Sequence, residues 1–135
     1  MTGIAGTSPV RTLAALIGAH SCLLGLAMLL APRTMLGLLG FGETGPLFFL
    51  SQSGIFLLIL GVCYLMAVTD PSMLKVILVS KAFAVLFLFA QAGFLGAPRI
   101  IWAAGAGDLA MLLALVAALR YERRCLGART SGGDR

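Results

Sequence analysis

The sequence predicts an all-α protein, an integral membrane four-helix bundle threaded up-down-up-down, and three observations carry that expectation. Four apolar stretches follow one another, each near the roughly 20 residues that a helix needs to cross a bilayer. Short runs of Pro, Gly, Asp and Arg separate them. Charge is scarce: of 135 residues 60% are hydrophobic and 11% charged, and the mean hydropathy is +1.04. A soluble domain of this length needs far more polar surface. The length leaves room for four helices and short connections, and for no separate soluble domain.

A short small and polar tail is expected over residues 1–11. Arg11 opens the first span, about residues 12–31, which ends at Pro32 and Arg33. A cleaved signal peptide is the rival reading. The apolar run exceeds the usual 7 to 15 residues of such a leader core, however, and Pro32 sits where cleavage would begin. Residues 32–46 mix Gly, Pro and charge with an apolar patch too short to cross, which suggests a loop with an interfacial turn. The second span is expected over about 47–68. Thr69-Asp70-Pro71-Ser72 is a turn signal, and Pro71 suits the first position of the third span, about 72–95. Gly96-Ala97-Pro98-Arg99 makes the next turn, and the fourth span runs over about 100–119. Residues 121–135 read as a basic cytoplasmic tail without regular structure.

Four spans place both termini on one side. That side holds Arg11, Lys75, Arg120, Arg123, Arg124, Arg129 and Arg135, the other only Arg33 and Arg99. By the positive-inside rule both termini are cytoplasmic, and the expected location is the cell inner membrane, with the lipid bilayer as the first partner. The net charge of +5 does not point to nucleic acid, because the basic residues form no aromatic-interleaved patch and collect at span ends. Cys22, Cys63 and Cys125 lie far apart without CxxC or Cys/His spacing, which argues against a zinc site or a disulfide oxidoreductase, and the lone histidine lacks partners for a metal.

Within the spans a few polar residues stand out. Lys81 lies near the middle of the third span, where an amine costs roughly 2.5 to 3.5 kcal/mol on insertion scales. Asp108 lies near the middle of the fourth. A four-residue turn makes these spans antiparallel neighbours, with an axial offset of about one helical turn, roughly 5 Å, between the two residues. Lys81 and Asp108 are therefore expected to pair in the bundle interior. Such a pair either sets helix register or forms a charged site for a ligand or proton. His20, mid-span in the first helix beside Ser21 and Cys22, is either a hydrogen-bonded packing residue or a proton-relay group.

Gln52 falls about 180° around its helix from Gly54 and Gly61, so the glycines and the glutamine face different surroundings, one of them a cavity in this reading. With Gln91 and Glu43, Gln52 would line a polar funnel opening to the non-cytoplasmic side and closing on Lys81 and Asp108. Trp102 and Tyr121 read as interfacial anchors; Tyr64 reads as one too, and stands with Lys81, Asp108, His20, Gln52 and Gln91 among the candidates for a ligand or proton site. Small residues four apart, Ala14 and Gly18 or Ala103 and Gly107, allow close helix packing, and a homo-oligomer is compatible with them.

The order Gly61-x-x-Tyr64, Asp70-Pro71, Lys81, Gly107-Asp108 resembles the DoxX-like group of small four-helix bacterial membrane proteins over about residues 12–120. The resemblance implies a four-helix membrane bundle. Through a member associated with a thiosulfate:quinone oxidoreductase, it also suggests quinone as a cofactor or a redox complex as a partner. It assigns no chemistry to Tyr64, Lys81 or Asp108. Three functions follow from the residues. The first is a protein that binds a small apolar molecule, a lipid or a quinone, or serves as accessory subunit of a membrane complex. The second is a small proton-coupled transporter using His20, Lys81 and Asp108. The third, an enzyme, lacks a nucleophile with a base, a metal cluster or a phosphate loop.

Overall fold

The structure of the chain, a computed structural model, describes residues 8–42 and 47–131. Its described residues are helical throughout apart from the connections: α1 (Pro9–Leu30), a short α2 (Pro32–Leu38), α3 (Leu47–Met66), α4 (Leu74–Phe94) and α5 (Ile100–Ser131). A single 3₁₀ turn, Pro71–Met73, leads into α4. Four segments, Pro9–Leu30, Leu47–Met66, Pro71–Phe94 and Ile100–Leu126, are long and apolar enough to cross a membrane. The chain is thus an all-α membrane protein built as a four-helix bundle.

Local chemistry explains where each helix begins and ends. Pro9 occupies the first turn of α1, where its missing N–H is no loss. Pro32 cannot continue the ladder of α1, so Ala31 leaves helical geometry, with φ −134° and ψ 56°, and a second helix starts at the proline. Beyond α2 the chain turns through Gly40 and Gly42, at φ 76° and 74°, conformations that other residues adopt at a cost. Asp70 caps the third span, its carboxylate accepting the Ser72 N–H at 2.9 Å.

Two antiparallel hairpins make the bundle. In the first, glycines bring α1 and α3 into backbone contact. A methyl group at Gly25 would lie 2.7 Å from the Gly54 carbonyl oxygen, and one at Gly61 2.7 Å from the Cys22 nitrogen. In the second, α4 packs on α5: Gly105 faces Leu88 and Phe89, and the Phe89 and Trp102 rings stand 5.6 Å apart. The hairpins meet mainly through α1 and α5, while α1 and α4 hardly touch. The closed core lies toward the chain termini, where Ala14, Ile17, Tyr64, Ile77 and Leu115 are all but inaccessible.

Helix reaches into both stretches expected to be tails. Helix α1 already begins at Pro9, inside the stretch read as an N-terminal tail. At the other end α5 continues through Ser131, where residues 121–135 were expected to be irregular; residues 132–135 lie outside the described residues. Tyr121 to Leu126 contains good helix formers and no proline, and Gly127 costs only about 1 kcal/mol relative to alanine, which a helix already propagating tolerates. Glu122 also ties this extension to the start of α1. Its carboxylate accepts the Val10 backbone N–H at 3.2 Å and the Ser8 hydroxyl.

Candidate functional site

The antiparallel register of α4 and α5 brings Lys81 and Asp108 together. Lys81 Nζ donates to Asp108 Oδ1 at 2.5 Å, and this is the one ion pair among the described residues. Lys81 is buried and Asp108 nearly so, with side chains 5% and 17% exposed, so neither charge is solvated in the way a surface pair is. Each group thus offsets the other's desolvation at a depth where an isolated charge is costly.

Above this pair, on the side away from the termini, the two hairpins diverge around a cavity of about 410 Å³. The space exists because α5 turns small residues, Ala103, Ala104 and Gly107, toward it. A methyl group added at Gly107 would meet nothing within 4 Å. Apolar side chains from all four long helices make the walls, Leu24, Leu57, Leu88 and Met111 among them, and Leu39 beyond α2 closes one end. The polar part of the lining is His20, Ser21, Lys81 and Asp108.

Three helices contribute to that polar lining. Ser21 is 1% exposed, and its hydroxyl is buried without a hydrogen-bond partner among the described residues. A helical serine ordinarily bonds a carbonyl one turn back, so the orphaned hydroxyl retains hydrogen-bonding capacity at the cavity wall. His20 is exposed on α1 and makes no hydrogen bond to a described residue, which leaves both ring nitrogens free for other partners. An apolar chamber with a few convergent polar groups is the usual form of a small-molecule site.

The other expected site residues lie elsewhere. Gln52 does not reach the cavity, because the glycine seam of α3 faces α1 and Gln52, on the opposite face, is exposed at the bundle exterior. Gln91 is half-buried near the end of α4, outside the cavity lining, and its backbone carbonyl accepts the Leu95 and Ala97 N–H groups at 3.2 Å. Glu43 lies outside the described residues. The expected polar funnel is therefore replaced by an apolar chamber with a polar floor. Tyr64 is not an interfacial anchor: it is 2% exposed in the core, and its hydroxyl bonds Ser80 Oγ at 2.5 Å. Ser80 in turn donates to the Val76 carbonyl at 2.5 Å. A phenol buried in a helix bundle needs a polar partner.

Ser80 and Glu122 were not singled out in the sequence. A signal existed for each. Ser80 neighbours Lys81 in an otherwise apolar run, and the free N–H groups at the start of α1 require an acceptor. No group of three metal-ligating side chains converges among the described residues. The chain matches no family model, and neither the curated proteins nor the solved structures include a significant match.

Proposed function

We propose that this membrane protein binds a small, mostly apolar molecule, a lipid or a quinone, in the chamber between its two hairpins, as a protein of the DoxX-like type. The single observation that carries the reading is the chamber itself: about 410 Å³ of largely apolar space that ends on Lys81, Asp108, Ser21 and His20. The apolar body of such a molecule would lie along Leu24, Leu57 and Leu88. Its polar end would meet groups whose charges already cancel, which favours a neutral head able to hydrogen-bond over a net anion or cation. The excess of Lys and Arg at the termini side supports an inner-membrane orientation with both ends cytoplasmic.

Purification in mild detergent followed by mass spectrometry of the bound small molecule tests this. Wild type should retain one defined molecule. Gly107→Leu should exclude it without unfolding the bundle, because the leucine grows into open space. A wild-type protein that carries only detergent and bulk lipid, or a Gly107→Leu variant that retains the molecule unchanged, would overturn the reading. Reporter fusions after Gly42 and Ala97 should read as non-cytoplasmic, and fusions after Asp70 and Arg124 as cytoplasmic.

One observation favours a second reading. His20, whose imidazole can both accept and donate a proton, lines the same cavity as Lys81 and Asp108, as a proton-coupled transporter would require. The carboxylate is already neutralised by Lys81, which places this reading second. In proteoliposomes with an imposed pH gradient, substrate-dependent proton movement abolished by His20→Ala would reverse the order.

A further inference from the structure

A second apolar recess lies at the opposite end of the molecule from the chamber, between α4 and α5. It measures about 190 Å³ and is lined by Leu78 of α4 and by Val116, Leu119, Arg120 and Arg123 of α5. The four α5 residues are spaced at i, i+3, i+4 and i+7, so they form one stripe along the helix. The stripe changes character along its length. Val116 and Leu119 are half-buried with Leu78, whereas Arg120 and Arg123 are exposed where the apolar run ends.

Neither arginine is neutralised by a described residue. Among the described residues two carboxylates lie at this end, and both are engaged elsewhere. Glu122 accepts from Ser8 and from the Val10 N–H at the start of α1. Asp70 accepts from the Ser72 N–H. Arg11, Lys75 and Arg124 add positive charge on the same side, and Lys75 lies one turn before Leu78 on α4. The recess therefore joins an apolar floor to two guanidinium groups that no described carboxylate pairs, where the apolar run of α5 ends.

We propose that this recess is a binding site for an anionic phospholipid. The guanidinium groups of Arg120 and Arg123 hold the phosphate, whose paired oxygens match the planar donor fork. One acyl chain lies over Leu78, Val116 and Leu119. The same two guanidinium groups select a headgroup with net negative charge over a zwitterionic one, whose own ammonium they repel. The site shares no lining residue with the chamber and differs from it in charge, so it does not depend on what the chamber holds.

Native mass spectrometry of the full chain tests the site. The protein, in neutral detergent, is incubated with equal amounts of phosphatidylglycerol and phosphatidylcholine bearing the same acyl chains. Wild type should retain phosphatidylglycerol several-fold over phosphatidylcholine, and added inorganic phosphate should not displace it. The double variant Arg120→Gln with Arg123→Gln should bring the two lipids to equal retention. Arg11→Gln with Arg124→Gln removes the same charge outside the recess and should preserve the preference. Val116→Trp, which fills the floor and leaves both arginines, should lower retention of phosphatidylglycerol. The substituted arginines are exposed, so the fold should survive their loss, as helical circular dichroism would verify. Equal retention by wild type overturns the proposal. So does an equal loss in the Arg11 and Arg124 variant, which would mean diffuse surface charge, and so does displacement by phosphate, which would mean a headgroup site without a chain.

Discussion

Glu122, in the last turns of the last long helix, accepts the backbone N–H of Val10 in the first turn of the first, at 3.2 Å. The same carboxylate takes the hydroxyl of Ser8, which itself makes no cap bond to α1. Helix α1 is thus capped from across the bundle. A negative group at this position satisfies a free donor and opposes the positive end of the helix dipole.

Glu122→Ala should therefore lower stability by about 1 kcal/mol, the usual worth of a helix cap. Reversible unfolding in mixed detergent, followed by circular dichroism, measures it. Amide exchange should quicken at Val10 and its neighbours and not at α3. Unchanged stability and exchange would mean that water serves the helix start as well as the carboxylate does.

The buried ion pair makes a larger demand. Either Lys81→Met or Asp108→Leu alone strands one charge in the bundle, and each should destabilise by roughly 3 to 5 kcal/mol. The double replacement should be far milder. A double-mutant cycle under the same unfolding conditions isolates the coupling, and purely additive losses would contradict the contact.

Two glycines should respond in opposite ways to the same methyl group. At Gly61 it would meet Cys22 Sγ at 2.5 Å and the Cys22 nitrogen at 2.7 Å, so Gly61→Ala forces α1 from α3 and should cost about 1 to 3 kcal/mol. At Gly107 nothing lies within 4 Å. Gly107→Ala should be neutral or stabilising by up to about 1 kcal/mol, from helix propensity alone. Equal destabilisation at both sites would show that the chamber is filled by packing.

The turn before α4 has a pH signature. Hydrogen bonds from Ser72, side chain first and backbone second, hold the Asp70 carboxyl below the usual carboxylate range. A depressed folded value means that the cap's contribution is complete above the unfolded value of about 3.9. The contribution is then lost as pH falls through the lower folded value. Unfolding measured from neutral pH into that acid window should show the loss in wild type. Asp70→Asn, which caps without titrating, should flatten that part of the profile.

The spans were legible in the sequence because bilayer thickness sets a minimum run of apolar residues, and Pro32, Asp70-Pro71 and Pro98 interrupt those runs at the right places. The Lys81–Asp108 contact was legible for a related reason. A four-residue turn leaves only an antiparallel neighbour, and the rise per residue then puts the two at similar depth. Helix rotation was not legible. When a helix is apolar on nearly every face, periodicity does not say which face turns inward. Only tertiary packing decided that Tyr64 is buried against Ser80 and that Gln52 faces outward. The same packing opens a chamber beside Gly107, because the first hairpin is drawn together by its glycines while small residues on α5 leave the space between hairpins unfilled. The Glu122 cap is of this kind too: it joins residues 112 apart in sequence, so it forms only once the first and last helices lie side by side.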